Sequence, residues 1–431
     1  MQHAEDTTPA ALRHIGVRRG LIALVVGALC AAFLLVGGGT ASAAPPDSNR
    51  MATWNMQRAS GRWTYALDLS DNASVVALQE ASITPPRGAV PLGRIGRNIH
   101  AYRIPATRTR GERYLYILYQ GGNPARGVNP AMITSFRPDR IEEIPGVYRS
   151  ALGVVRRADN TLFASIHASA SGGTDAASLV RRVATRSGQL ALGNWVVLGD
   201  FNRAPRSLPV GGTTGIPANS HIYENGGPTQ LSGGRLDYAV SNVLTQNWQA
   251  ARGNPRGSDH WPITFSALRA GAGPARFTLG DNGGNGSVLD VYQARRTNGT
   301  HLILYHPDNG TNQQWTLRPD GFQNRSNRIV SVASGKCMDV DNGTASKESS
   351  QMNIWDCHRH GPTTDTQNFV LEHPIPLFPN LTTIANERTE YLLNVAGNGT
   401  ADGTPVIQYE QQYGPLPYPA DNEAFYLHPI S

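Results

Sequence analysis

Beyond residue 43 the chain holds no apolar run long enough to cross a bilayer, so no membrane-spanning helix is expected there. Cysteine is nearly absent. Of three in 431 residues, Cys30 falls within the first 43, which leaves Cys337 and Cys357. The basic half therefore has no thiolates for a metal cage, and the remaining pair predicts one disulfide in an oxidising compartment. Lysine is missing from residues 50–268, where 24 arginines stand against 13 acidic residues, a net charge of +11. Residues 269–431 carry 9 Arg and 2 Lys against 16 Asp and Glu, a net charge of −5. An arginine-rich base composition does not produce that reversal. The two halves meet different partners, and the basic one suits a polyanion.

The first 43 residues follow another pattern. Arg18 and Arg19 precede an apolar run from Leu21 to Val36, and Ala41-Ser42-Ala43 follows. Charge, apolar run and small-x-small site together describe a secretory signal, residues 1–43, cleaved after Ala43. The expected mature protein is secreted, without permanent membrane insertion.

Residues 50–268 alternate short apolar runs with polar segments. Val75–Leu78, Tyr114–Leu118, Ala131–Ile133, Leu162–Ile166 and Trp195–Leu198 read as strands. Asp175 to Leu192 carries apolar residues at helical spacing. Strands alternating with helices indicate an α/β domain. Ala270-Gly271-Ala272-Gly273-Pro274 marks a joint, placed at 269–274. Beyond it the strands are short and a motif repeats. Leu289-Asp290-Val291, Met338-Asp339-Val340 and Leu393-Asn394-Val395 are each followed by Gln313-Gln314-Trp315, Gln367-Asn368-Phe369 and Glu423-Ala424-Phe425. Three copies of an all-β unit imply a threefold arrangement over 275–431.

In the basic half, polar residues stand at strand ends: Trp54-Asn55, Gln79-Glu80, Ile166-His167, Gly199-Asp200-Phe201-Asn202, Leu236-Asp237 and Ser258-Asp259-His260. A buried strand does not hold unpaired carboxylates, but its end presents them rigidly to a cleft. Extended alternation points Asp200 and Asn202 the same way, with Phe201 in the core. Oxygen donors without a Cys/His cage suit Mg²⁺ or another hard divalent cation. Two histidines beside them suit proton transfer near neutral pH, and arginines suit phosphate clamping. The combined chemistry is phosphoester hydrolysis.

These motifs, in this order, resemble the endonuclease/exonuclease/phosphatase superfamily, and within it the B subunits of cytolethal distending toxins. Thr53-Trp54-Asn55-Met56-Gln57, Ser165 to Ala176, Leu198 to Pro205, Leu236 to Val240 and Ser258-Asp259-His260 carry the likeness across about 50–268. The resemblance implies an α/β four-layer sandwich, two packed β-sheets flanked by helices. It implies that Glu80, Asn55 and Asp259 hold metal and that Asp200 and Asn202 contact metal and phosphate. His260, oriented by Asp237, is implied as the base that activates water, and His167 as the second catalytic histidine. Glu112 is implied as the carboxylate that orients His167, and Arg126 and Arg149 as phosphate contacts.

The repeated half resembles ricin B-type lectins, whose fold is the all-β β-trefoil. Each repeat of that family offers an Asp, an aromatic platform and a terminal Gln-x-Trp. Repeat one supplies Asp290, Tyr305, Asn312 and Gln313, with Ile303 where the family has a polar residue. Repeat two supplies Asp339, Asn353, Trp355 and Gln367, with Cys337 and Cys357 at the family's disulfide spacing. Repeat three, with Asn394, Tyr409 and Asn422, is the most degenerate. A sugar needs acceptors for its hydroxyls and an aromatic face for its C–H surface. Trp315, Phe369 and Phe425 are expected in the core.

The resulting expectation is a secreted Mg²⁺-dependent nuclease acting on DNA and directed to glycans by its lectin half. Two alternatives use the same residues differently: a phosphoinositide or phospholipid phosphatase, and a carbohydrate-binding protein with an inactive α/β half.

Overall fold

The computed structural model describes residues 45–430 apart from 123–126, 268–275, 284, 320–325, 342–346, 359–365, 373–376 and 413–419. The expected signal over 1–43, the joint at 269–274 and Arg126 lie outside the described residues.

The basic half runs β1 (Met51–Asn55), α1 (Trp63–Asn72), β2 (Val75–Gln79), β3 (Val90–Ile95), β4 (Ile99–Ile104), β5 (Arg113–Leu118), β6 (Ala131–Thr134), β7 (Arg140–Ile144) and β8 (Ala151–Arg156). It continues with β9 (Thr161–His167), α2 (Ala176–Gln189), β10 (Asn194–Asp200), β11 (His221–Tyr223), β12 (Asp237–Ser241), β13 (Gln249–Arg252) and β14 (Ile263–Ser266). Two mixed sheets result. One has the order β13-β14-β1-β2-β6-β5-β4-β3, the other β11-β12-β10-β9-β8-β7. The pairs β1–β2 and β9–β10 are parallel.

Strand periodicity explains why the central strands read as unbroken apolar runs. In β2, Val75 and Ala77 enter the core between the sheets, while Val76 and Leu78 enter a cluster with Trp63, Ala66 and Leu67 of α1. In β10, Val196 and Leu198 face the other sheet, and Trp195 and Val197 face Leu179, Val180 and Val183 of α2. A strand covered on both faces has no polar side to alternate. The expected helix is present and slightly shorter than its periodic stretch. Several elements go beyond the expected set, among them α1, which buries only Trp63, Ala66, Leu67 and Ser70, and β3, which is exposed at all six positions. Neither has an apolar pattern strong enough to announce it.

Residues 276–429 form a separate twelve-stranded, barrel-like sheet. The three repeated triplets fall in strands Val288–Val291, Cys337–Val340 and Leu392–Val395. Leu289, Met338 and Leu393 share one core with Trp315, Phe369 and Phe425, so the three copies contribute equivalent residues to one centre. Cys337 and Cys357 are bonded, with their Cα atoms 5.1 Å apart.

Candidate active site

Register assembles the site. On neighbouring strands β9, β10 and β12, His167 pairs with Asp200 and Asp200 with Asp237. Three polar residues therefore stand in one row where the second sheet ends. On the first sheet Asn55 pairs with Gln79, and Glu80 follows at once. Gly199 lets β10 press against β9 as it delivers Asp200. A Cβ there would lie 2.1 Å from the Ile166 carbonyl oxygen.

Phe201 turns into the core as alternation requires and stacks on Tyr238, centroids 3.9 Å apart. Asn202 does not continue the alternation. Its φ is +48°, so the strand has ended. Its backbone N–H donates to Asp200 Oδ1 at 2.8 Å and its amide to the Ala168 carbonyl at 2.9 Å. Asn202 thus braces Asp200. Gln57, Arg58 and Glu80 also have positive φ. Such side-chain-bearing residues in left-handed conformation concentrate where geometry is imposed for function.

The side chains converge. Asn55 Nδ2 donates to Asp200 Oδ2 at 3.1 Å. His167 Nε2 lies 3.6 Å from Asp200 Oδ2 and 4.0 Å from Glu80 Oε1. His260 Nε2 lies 3.8 Å from Asp200 Oδ2, while its Nδ1 sits 2.7 Å from Asp237 Oδ2. Ser258 Oγ donates to the Asn55 carbonyl at 2.7 Å and Trp54 Nε1 to the His260 carbonyl at 3.1 Å, tying the last loop to β1.

Burial sets the charges. Burial, with Asp237 next, pushes Asp200 up to about 7. Burial opposes protonation of His260, but Asp237, then Asp200 and Asp259, outweigh it and push His260 up to about 9. His167 is held well below the usual imidazole range by burial and by the positive charges of Arg149, His260 and Arg58. One histidine is therefore charged and the other neutral, an asymmetry typical of paired acid/base sites.

A hard divalent cation fits the donors. Ligand atoms of Asp200, Asp237 and His260 all lie within 4.8 Å of one another. Asp237 and His260 are already engaged with each other. Oxygens for a cation are then Asp200, Asn55 and Glu80, the last with 18% of its side chain exposed. A buried carboxylate that holds a proton near neutrality is one that a cation stabilises in its ionised form.

Other expected residues fall differently. Asp259 is half-buried, and its charge acts on both His260 and Asp237. Arg149 Nη1 donates to the carbonyls of Ala168 at 2.9 Å and His167 at 3.3 Å, so it braces the His167 backbone as well as adding charge. Glu112 does not orient His167. It accepts from Tyr114 at 2.6 Å and pairs with Arg103 at 2.9 Å. The reason is direction: Tyr114 is level with Thr134, and Thr134 with Val75. Glu112 therefore stands at the end of the sheet opposite Glu80. Arg58, overlooked in the sequence, pairs with Glu80 at 3.0 Å. Its only signal was its place three residues after Asn55.

In the repeated half, Asp290 accepts from Asn312 at 2.8 Å and Gln313 at 2.9 Å, and Asp339 from Gln367 at 2.7 Å. Gln313 and Gln367 are 1% and 0% exposed. They are braces behind the aspartates rather than sugar contacts, which corrects the expectation. The residue facing each pocket Asp or Asn in register is Ile303, Asn353 and Ile407 in turn, so only repeat two is polar there. Trp355 is 43% exposed and Tyr305 half-buried. Repeat three reverses the charge: Asn394 donates to buried Glu423 at 3.1 Å.

Two mixed sheets whose strand ends gather acidic residues and two histidines define a phosphoester hydrolase. Residues 52–260 match the model of the Endonuclease/Exonuclease/phosphatase family, and residues 244–355 and 311–409 that of the Ricin-type beta-trefoil lectin domain-like family. A Salmonella typhi homolog of the cytolethal distending toxin B chain is 32% identical over 240 residues, 51% of this chain and 89% of that protein. The corresponding B chain of the Escherichia coli toxin is 32% identical over 251 residues, 50% of this chain and 91% of that protein. A solved structure of CdtB, the biologically active subunit of the toxin, is 28% identical with a TM-score of 0.44, covering 51% of this chain and 98% of its own. The chain belongs to the endonuclease/exonuclease/phosphatase family, in the CdtB branch.

Proposed function

We propose that the chain is a secreted, divalent-cation-dependent phosphodiesterase that cleaves DNA, with a lectin half that docks it on glycans. The observation that carries the reading is that His260, paired with Asp237, and His167 both face Asp200, each Nε2 less than 4 Å from its carboxylate. The net charge of +11 over residues 50–268 favours a substrate with many phosphates. The domains proposed are a signal at 1–43, a four-layer catalytic sandwich at 50–268, a linker at 269–274 and a β-trefoil at 275–431.

Each group has a task in that reading. Asp237 fixes the His260 ring through Nδ1, which leaves Nε2 to take the proton of an attacking water. His167, kept neutral, hydrogen-bonds the phosphate or the leaving oxygen. Asn202 and Arg149 keep Asp200 and His167 in place. Glu80, Asn55 and Asp200 would hold a cation, which would supply positive charge against the charge developing on the phosphate and would favour neutral His260. In the lectin half, Asp339, Asn353 and Trp355 make repeat two the proposed sugar site.

The test is nicking of supercoiled plasmid with Mg²⁺, wild type against His167→Ala. Nicking by the wild type and not the variant is expected. No nicking, with phosphate released from a phosphoinositide, replaces DNA as the substrate. Inactivity toward both leaves only the lectin function.

A further inference from the structure

The segment 224–236 connects β11 to β12. It touches the repeated half at one end and the catalytic pair at the other. Glu224, 1% exposed, accepts a hydrogen bond from Tyr426 Oη at 2.8 Å, and its carbonyl accepts from the Asn380 amide. Burial keeps the Tyr426 phenol protonated, so it remains a donor. Arg235 reaches Glu224 at 3.6 Å and the Asn282 carbonyl at 3.4 Å.

Two glycines make this contact close. A Cβ on Gly226 would lie 2.2 Å from the Tyr426 ring, and one on Gly227 would lie 2.9 Å from Gly286 Cα. The Gly226 backbone meets the Tyr426 ring and the Gly227 backbone meets that of Gly286, and no side chain fits between.

The same segment builds the base. Thr229 Oγ1 accepts the backbone N–H groups of Leu236 at 2.8 Å and Asp237 at 2.9 Å. The Thr229 carbonyl accepts from Trp261 at 2.9 Å, the Leu231 N–H donates to the Asp259 carbonyl at 2.8 Å, and Gln230 bridges to His260. Both members of the His260–Asp237 pair are therefore hung on it. Behind the carboxylates, Phe201 and Tyr238, the residues directly after Asp200 and Asp237, share a buried cluster with Tyr426, Phe378 and Leu381 of the repeated half.

We infer that the repeated half is part of the catalytic apparatus as well as a docking module: through Tyr426 and Glu224 it positions the segment that sets His260 against Asp237. Glu224 and Tyr426 are positioning residues and touch no substrate. The inference rests on the phosphodiesterase reading for its kinetic test, but the geometry can be read without activity.

A 1 Å displacement of a catalytic group is enough for large losses of rate. In the full-length chain, Tyr426→Ala is expected to lower kcat for plasmid nicking roughly tenfold or more with little change in KM. Tyr426→Phe, which leaves Glu224 without its donor, is expected to lose a smaller factor and covers the case in which Tyr426→Ala does not fold. Glu224→Gln keeps an acceptor for Tyr426 but removes the charge facing Arg235, and is expected to lose a smaller factor in kcat than Tyr426→Ala. Amide exchange at Leu236 and Asp237 should quicken in the Tyr426 variants. Folded variants with wild-type kcat, or with KM alone raised, overturn the inference. If the wild type cleaves neither plasmid nor phosphoinositide, the phosphodiesterase reading fails by itself. In that case, unchanged exchange at Leu236 and Asp237 in Tyr426→Ala overturns the positioning role separately.

Discussion

His260 and Asp237 form a closed pair, Nδ1 to Oδ2 at 2.7 Å, with the Asp237 side chain 0% exposed. The carboxylate has no access to water, so its effect on the ring is undiluted by solvent.

Asp237→Asn keeps the volume and removes the charge. An amide fixes the wrong tautomer of the ring or none. The expected loss in nicking kcat is about 10³–10⁴, the scale on which buried triad aspartates act. Near-wild-type turnover by a folded Asp237→Asn protein would falsify the role of the pair.

Cation binding is expected to depend on Glu80. Mg²⁺ in excess should raise the melting temperature, because a ligand at about 100 times its Kd stabilises by roughly 2.7 kcal/mol. Chelation should abolish nicking, and Mg²⁺ should restore it. Glu80→Gln should lose both the thermal shift and the activity; a full shift in that variant would place the cation on other groups.

Much of this site was legible because its residues sit at the ends of strands buried on both faces. Asn55, Glu80, His167, Asp200 and Asp237 each border such a run, and register alone brings three of them into a row. Glu112 misled because a carboxylate beside an apolar strand reads the same at either end, and strand direction emerges only from the pairing of β5, β6 and β2. Arg58, Thr229 and Ser258 act through loop geometry that no periodicity encodes. In the repeated half the triplets located the core well, but Gln313 and Gln367 looked like ligands because a brace and a ligand have the same chemistry.

Arg149 has two tasks that salt separates. Its bonds to the His167 and Ala168 carbonyls hold the histidine, and under the proposed function its charge would meet phosphate. Arg149→Met should weaken DNA binding and reduce the slope of log K against log salt by about 1. It should also lower kcat, because His167 loses its brace. An unchanged salt slope with reduced kcat would leave only the bracing role.

Sugar binding should map to repeat two. Asp339→Ala and Trp355→Ala are expected to abolish most glycan-array signal. Asn394→Ala should change little, since Asn394 is engaged with Glu423 at 3.1 Å and Asn422 at 3.1 Å. Equal binding by wild type and Asp339→Ala would move the sugar site elsewhere.

The charge state of the site predicts how the metal-free protein responds to pH. His260 is pushed up to about 9, so between pH 6.5 and 9 the folded state keeps a proton that the unfolded chain releases. Stability must then fall as pH rises through that window, by about 3 kcal/mol from this group alone. Asp200, raised to about 7, gives the same sign between about pH 4 and 7, because the folded state again binds the extra proton. Below pH 6.5 the depressed His167 acts with the opposite sign, so urea unfolding in chelator should show midpoints that decline between pH 6.5 and 9. Adding Mg²⁺ should flatten the decline, since a cation replaces the lost proton on Asp200. A midpoint that rises from pH 6.5 to 9 in chelator would mean that His260 is not charged in the folded site, and that Asp237 does not govern it.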